Sequence, residues 1–440
     1  MNKKTRSSGP AVRSSGKTTP TGVSPVFSQT ARFRRETTDR LLSLFSLWGY
    51  REIILPSFEY LDAISPGLDP ALLPKLYLMQ DRGSGQILVL RPDATAQIAR
   101  LTTQSFQDRR LPLRFCYSTS VFRDESHHTS RDRELHQTGL ELLGDPSVLS
   151  DYETLELCLS GSALFPLKKP VLVLSHAGIQ EGFFKSVTGD PDRLKELRMA
   201  FYSRNPDHLK RLLDSSGKKD FSKLAEGVNG ISGALAMIAG LSGKGSRLPA
   251  AELDSFASLL RMLQESRYAP SVLVDFALPP PGPYYTGMFF QLFAEDSPTH
   301  LASGGRYDHL GQSFGHDLPA VGFAYHINHI EEAIQKQDPF GDTSLTLAWY
   351  RAGEYHAVRQ FSDSLRKRGI PVLLSPETDL EGDSKSLVPK NIFIDHEEIG
   401  AIVYYDREKS LWTLEKRSKV LLADASLETL AQLLFKSENR

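Results

Sequence analysis

Residues 114–125 (RFCYSTSVFRDE) and 134–144 (ELHQTGLELLG) decide the fold of this chain. Apolar and polar side chains alternate through much of both stretches, which is typical of β-strands with one buried face. The loop between them is polar and basic. The pattern therefore predicts strands over residues 113–122 and 135–143 that are joined as a long hairpin.

Three residues of the second predicted strand, Gln137, Gly139 and Glu141, are spaced two apart and therefore share one face. This face offers an amide, a bare backbone and a carboxylate. Such groups can hydrogen-bond a small zwitterion or a protonated ring. A solvated polar face on an antiparallel sheet has the same periodicity, so the spacing alone leaves both interpretations open.

The two stretches resemble motif 2 of class II aminoacyl-tRNA synthetases in its histidyl form. Residues 36–61 resemble motif 1, the helix and strand of the dimer interface, and residues 90–100 resemble the segment that binds the ammonium of histidine. The resemblance extends over about residues 33–335. It implies an α+β fold, with a mixed, mostly antiparallel sheet flanked by helices, a helical insertion and a small C-terminal α/β domain.

Three positions depart from a working synthetase of this family. Pro280 stands where the resemblance implies an arginine that assists adenylation, and His329 stands where it implies an arginine that contacts adenine and the γ-phosphate. Neither replacement supplies a permanent charge or a fork of donors. Asp93 replaces a glutamate and is one methylene shorter. We therefore expect the chain to be a non-catalytic protein without a cofactor.

The amino-acid pocket implied by the resemblance is largely retained. The residues expected to bind histidine are Asp93, Thr95, Arg123, Gln137, Glu141, Tyr284 and Tyr285. The resemblance assigns the first two and Gln137 to the ammonium, and Glu141 and Tyr285 to the imidazole. With Pro280 in place of arginine, Arg123 is expected to hold the carboxylate.

This combination resembles the regulatory subunits of ATP phosphoribosyltransferase, in particular at residues 284–287 (YYTG) and 304–308 (GGRYD). The resemblance implies a histidine-binding partner of the short-form catalytic subunit, required for its activity and its feedback inhibition in the first step of histidine biosynthesis. It also implies a homodimer within a larger hetero-oligomer. The retained Arg123 and Glu125 keep a divergent histidyl-tRNA synthetase, or a tRNA-binding synthetase-like protein, as alternatives.

Composition and local patterns predict three parts of the chain. Residues 1–28 hold few large apolar groups and are expected to be a disordered tail. Residues 29–336 are expected to form the synthetase-like domain, with a helical insertion at about 176–268. Residues 344–440 are expected to form a small α/β domain, which resembles a vestigial anticodon-binding domain at residues 365–372. Within the first domain, helices are predicted over residues 193–213, 221–241 and 320–335.

Charge and cysteine content narrow the class of protein. The formal net charge is -1, so a nucleic-acid partner is not expected. The two cysteines match no metal-binding spacing and favour a reducing compartment. No cluster of cysteines or carboxylates is spaced with His127, His128 and His136, so no metal is expected. No apolar run is long enough to span a bilayer. We expect a cytoplasmic protein.

Overall fold

The predicted hairpin is the centre of the main sheet in a computed structural model of the chain. Strands Leu113–Phe122 and Glu134–Leu143 pair antiparallel along their whole length, from Leu113 opposite Leu143 to Phe122 opposite Glu134. This register places Gln137, Gly139 and Glu141 on one face, as their spacing predicts.

The structure describes residues 20–26, 28–105, 110–124, 132–214, 225, 227–242, 248–295, 297–334, 345–350, 353, 355–367, 369–376, 393–394, 397–406, 411–416 and 419–425. The chain divides into two compact units, Met1–Gln337 and Asp338–Arg440. Most of the predicted tail lies outside the described residues. Within the described part, no helix is both long enough and apolar enough to cross a membrane.

Nine strands of the first unit form one mixed sheet in the order β1-β5-β6-β12-β11-β10-β7-β9-β8, and three form a second sheet in the order β2-β4-β3. The strands are β1 (Arg51–Glu52), β2 (Phe58–Tyr60), β3 (Leu78–Gln80), β4 (Ile87–Leu90), β5 (Leu113–Phe122), β6 (Glu134–Leu143), β7 (Val171–His176), β8 (Asn229–Gly230), β9 (Val272–Val274), β10 (Met288–Phe293), β11 (Ala302–Arg306) and β12 (Ala320–His326). Pairs β1–β5 and β7–β9 are parallel, and the other pairs of both sheets are antiparallel.

Helices flank the main sheet and form the insertion. They are α1 (Ser28–Leu47), α2 (Leu61–Ile64), α3 (Ala94–Ser105), α4 (Val148–Ser162), α5 (Ala177–Val187), α6 (Pro191–Tyr202), α7 (Pro206–Asp214), α8 (Ile231–Leu241), α9 (Ala250–Glu265) and α10 (Ile327–Ile334). The short 3-10 helix Leu310–Phe314 packs near α3.

The helix predicted over residues 320–335 is wrong in its first half. Residues 320–326 form β12, which pairs with β6 on one side and β11 on the other. All seven residues of this strand are buried. A continuous apolar run has neither the two-residue nor the 3.6-residue period, so it predicts burial without distinguishing strand from helix.

Two other predicted helices have different boundaries. The single helix predicted over residues 193–213 is interrupted between α6 and α7, where Arg204 has a φ of +50° and Pro206 begins the second helix. Proline has no N–H to donate to the preceding turn, so it cannot continue a helix. In the stretch 221–241, helix α8 starts only at Ile231, after the short strand β8. Residues 221–224 lie outside the described residues.

Arg306 fixes helix α4 to the end of β11. Its guanidinium donates to the Asp151 carboxylate at 2.8 Å, the Ser150 hydroxyl at 2.7 Å and the Asp308 carboxylate at 3.0 Å. It also donates to the backbone oxygens of residues 145 and 147, at 3.1 and 3.2 Å. A buried guanidinium needs this many acceptors because each unpaired donor would lose its hydration.

The second unit is a separate α/β structure. Its elements are β13 (Leu345–Tyr350), α11 (Tyr355–Arg366), β14 (Val372–Pro376), β15 (Phe393–Ile394), β16 (Glu397–Asp406), β17 (Leu411–Lys416) and β18 (Lys419–Ala425). Strand β13 pairs parallel with β14 and β16, and the sheet continues antiparallel through β17 and β18. The predicted βαβ pattern is present as β13, α11 and β14.

Candidate functional site

Two glycines lie on the face of the sheet that carries Glu141, and the region around this carboxyl group is called the candidate cleft below. Gly322 lies opposite Glu141 in the register, and a side chain there would overlap the Glu141 carboxylate. A side chain at Gly139 would collide with the backbone oxygen of residue 323 and approach the Tyr117 hydroxyl to 2.9 Å. The bare backbone noted in the sequence therefore packs directly against neighbouring atoms, and this close approach requires glycine.

The carboxyl group of Glu141 is buried, with 1% of the residue exposed. Thr95 donates to it through Oγ1 at 2.7 Å, and the Tyr307 and Tyr117 hydroxyls also hydrogen-bond to it. Burial nevertheless raises the pKa of Glu141 to about 8, because the loss of hydration outweighs the stabilising hydrogen bonds. The cleft thus holds a carboxyl group that can exchange a proton near neutral pH.

Aromatic rings form one wall of the cleft. The ring centroids of Tyr284 and Tyr285 are 4.8 Å apart, and Tyr284 contacts Tyr307 edge-on at 6.0 Å. Tyr285 packs against Phe289 of β10 at 6.0 Å. Burial raises the pKa of all three tyrosines, so their hydroxyls stay protonated and available as donors.

The start of helix α3 supplies the opposite side. Asp93 precedes the helix, and its Oδ1 accepts from the backbone N–H of Ala96 at 2.9 Å, as an N-cap does. Its Oδ2 lies 3.4 Å from the Arg123 guanidinium, which also donates from Nε to the oxygen of Pro92 at 2.7 Å. Asp93, Thr95 and Arg123 therefore lie close together.

Buried Arg91 holds this segment in place. It donates to the backbone oxygens of Leu55 and Pro56, at 2.9 and 2.7 Å, and to that of Ser120 on β5 at 2.9 Å. The residue joins the segment after β1 to the motif-2 strand. It thereby fixes the position of Asp93, two residues further on.

Gln137 lies four residues before Glu141 on β6 and faces a histidine. Its Nε2 is 3.4 Å from Nδ1 of His326, the residue opposite it on β12. The contributions of His326, Tyr117, Tyr307 and Arg91 were not identified from the sequence. Tyr307 stands in the quoted stretch GGRYD, but only the strand pairings show that its hydroxyl reaches Glu141.

The structure gives the contacts of His329 and its neighbour Asn328 and the location of Pro280. His329 is buried, and its Nδ1 lies 2.8 Å from the oxygen of His300. Asn328 accepts from the N–H of His136 at 2.8 Å and thereby ties α10 to β6. Pro280 lies half-buried between β9 and β10. Glu125 lies outside the described residues.

Comparisons with known proteins agree with this architecture. The family model for histidyl-tRNA synthetase matches residues 22–330. A solved histidyl-tRNA synthetase from Nostoc has a TM-score of 0.75 at 17% identity, covering 96% of this chain and 99% of that one. The fold and the cleft thus define a class II aminoacyl-tRNA synthetase-like protein of the histidyl type.

Curated relatives narrow this class. The ATP phosphoribosyltransferase regulatory subunit of Moorella thermoacetica is 30% identical over 364 residues, covering 82% of this chain and 92% of the relative. The protein of the same name from Clostridium botulinum is 25% identical and covers 91% and 94%. The chain belongs to the family of ATP phosphoribosyltransferase regulatory subunits. A Bacillus halodurans structure titled as such a subunit or a histidyl-tRNA synthetase has a TM-score of 0.72 at 24% identity, covering 85% and 95%.

Proposed function

We propose that this chain is a non-catalytic regulatory subunit that binds L-histidine. In this proposal it is required for the activity of a short-form ATP phosphoribosyltransferase catalytic subunit and confers feedback inhibition by histidine. The observation that carries the proposal is the buried Glu141 carboxyl, which lies between an aromatic wall and the start of α3. The names of the relatives and the family membership support the regulatory role.

The cleft offers a partner for each group of histidine. Glu141 and the Tyr285 hydroxyl face the imidazole, and Asp93 faces the ammonium. Thr95 gives its hydrogen to Glu141, so its lone pairs remain to accept from the ammonium together with the Gln137 oxygen. Arg123 retains donors beyond those used by Pro92 and Asp93, and these are assigned to the carboxylate.

Reconstitution tests the regulatory role. The chain is mixed with a purified short-form catalytic subunit from the same organism, and formation of the phosphoribosyl-ATP product is followed with and without L-histidine. The proposal requires low activity of the catalytic subunit alone and high activity of the mixture. Equal activity with and without this chain would overturn it.

The proton held by Glu141 predicts a bell-shaped pH dependence of histidine binding. Below its pKa of about 8 the free carboxyl is protonated, and above about 6.5 the free imidazole is neutral. The complex holds one proton between the two groups. Binding therefore exchanges no proton between these values, takes one up above about 8 and releases one below about 6.5, so affinity falls up to about tenfold per pH unit on each side.

Calorimetry from pH ~5.5 to ~9 measures this dependence. Glu141→Gln serves as the matched control, because the amide cannot titrate and the decline that begins near pH ~8 should disappear. An affinity that is flat through this range in the wild-type chain would contradict the assigned role of Glu141.

The surface around the motif-1 segment supports a homodimer, which we include in the proposal. Phe58, Tyr60 and Met79 lie on one face of the second sheet and are 53%, 40% and 39% exposed, and Ile54 nearby in sequence is 89% exposed. Contiguous apolar exposure of this kind marks an interface. In a dimer with two-fold symmetry, the apolar surface of each copy would be covered by the same surface of the other.

Substitution of this surface is expected to separate the dimer. Phe58→Glu places a charge on the face that a second copy would cover, so the variant should sediment as a monomer at micromolar concentration while the wild-type chain sediments as a dimer. Met199→Glu on α6 is the matched control, because Met199 is an exposed apolar residue on the insertion. A monomeric wild-type chain would contradict the dimer.

A further inference from the structure

His326 occupies a position beside the proposed ligand pocket where its ring can orient a pocket side chain. It is the last residue of β12 and lies opposite Gln137 in the register, so both project from the face that carries Glu141. The residue is 9% exposed and has a partner on each ring nitrogen. Nδ1 lies 3.4 Å from Gln137 Nε2, and Nε2 lies 3.2 Å from Ser303 Oγ on β11.

The chemistry of these contacts fixes the directions of the hydrogen bonds. An amide nitrogen can only donate, so Nδ1 of His326 accepts from Gln137. A neutral imidazole that accepts at Nδ1 carries its hydrogen on Nε2, and this hydrogen is donated to the Ser303 hydroxyl. The amide nitrogen of Gln137 is thereby held on the histidine side. Its oxygen is left for the pocket.

The surroundings of His326 keep its ring neutral. The titratable groups that face it are His300, with ring centroids 4.9 Å apart, His329 of α10 at 5.3 Å, and Arg123 after β5. Strands β6 and β11 contribute the uncharged Gln137 and Ser303. Burial, followed by these neighbours, lowers the pKa of His326 well below its ordinary value. Within the described residues, no group with the arrangement of metal ligands is present.

We propose that His326 is a positioning residue that holds the Gln137 amide with its oxygen toward the pocket, so that the site selects ligands that carry an ammonium group. This inference rests on the proposed function, since it concerns how that pocket distinguishes histidine from related imidazole compounds. Without His326 the amide can turn by half a rotation and present its NH2 group. The NH2 group and the ligand's ammonium are both hydrogen-bond donors, so they could not bond to each other.

Two ligands that differ only at the ammonium test the proposal. L-histidine and 3-(imidazol-4-yl)propionate are titrated into the full-length chain by calorimetry near pH 7. A hydrogen bond to a charged group predicts that the wild-type chain prefers histidine by about ten- to a hundredfold. In His326→Ala this preference should decrease by about tenfold, because Asp93 and Thr95 still bind the ammonium, while affinity for the propionate changes by less than about twofold.

His329→Ala is the matched control, because it removes a neighbouring imidazole whose Nδ1 lies at the backbone oxygen of His300 and not at Gln137. It should keep the wild-type preference. A second test, in a chain that carries Gln137→Glu, distinguishes loss of the amide's orientation from a general disturbance of the fold. Gln137→Glu has two equivalent accepting oxygens and needs no orientation, so adding His326→Ala to it should leave the preference unchanged.

Each outcome decides between the claims. An unchanged preference in His326→Ala, or an equal loss of preference in the Gln137→Glu background, overturns the positioning role while the proposed function stands. A wild-type chain that binds neither ligand, alone or with its partner, overturns the proposed function and this inference with it. Loss of preference in His326→Ala alone supports the proposal.

Discussion

Glu141→Gln is expected to weaken L-histidine binding roughly ten- to a hundredfold, because it removes a charge-assisted hydrogen bond worth about 1.5–3 kcal/mol. The amide retains the shape of the carboxyl but cannot share a proton with the imidazole. In the assembled complex, the variant should still activate the phosphoribosyltransferase and should lose feedback inhibition at histidine concentrations that inhibit the wild-type complex. Calorimetry and an inhibition curve measure the two effects.

Glu153→Gln is the matched control for this substitution. The Glu153 carboxylate accepts from the Tyr50 hydroxyl at 2.9 Å and from Arg114 at 3.0 Å, away from the cleft. This control should retain histidine binding and feedback inhibition. Unaltered feedback inhibition in Glu141→Gln would contradict the assignment of the imidazole to Glu141.

Histidine-dependent ATP–pyrophosphate exchange is expected to be absent, at least about 10⁴-fold below the rate of a working histidyl-tRNA synthetase. Removing one preorganised donor from an active site typically costs about 10²–10³ in rate, and the resemblance implies that Pro280 and His329 stand in place of two. We propose that these two positions account for the loss of adenylation. The expected result is no exchange above background in the wild-type chain, with a histidyl-tRNA synthetase assayed in parallel.

Exchange at an ordinary synthetase rate would favour the divergent enzyme over the regulatory subunit. Arg123 is retained, so the assay has to be sensitive enough to detect weak adenylation. An Arg123→Ala variant distinguishes residual activity of this chain from a contaminating enzyme, because only the former depends on this guanidinium.

The predicted secondary structure was accurate where the local residue pattern matched the strand pairing of the structure. The hairpin of β5 and β6 combines alternating residues with a polar connecting loop, and its boundaries were predicted to within one residue. The class II synthetase-like fold, predicted by resemblance, is confirmed. The sequence pattern predicts a helix where strand β12 is found, because burial on both faces removes the periodicity that distinguishes the two. The break between α6 and α7 coincides with the positive φ of Arg204 and with Pro206 at the start of α7.

The sequence was enough to propose the residues of the candidate site. It did not indicate the side chains that hydrogen-bond to them. The spacing of Gln137 and Glu141 predicted a shared face, and the resemblance supplied Asp93, Thr95 and Arg123. The hydroxyl of Tyr307 and the ring of His326 reach this face only through the pairing of β6, β11 and β12, which joins residues more than 150 positions apart. No local sequence pattern indicates contacts of this kind.

Titration of L-histidine into the purified chain tests the central claim most directly. The account predicts saturable binding at one site per chain by calorimetry, alone or in complex with the catalytic subunit, and loss of most of that binding in Glu141→Gln. Absence of histidine binding in both the free chain and the complex would contradict it, because the buried carboxyl and its aromatic wall would then have no ligand to regulate the partner.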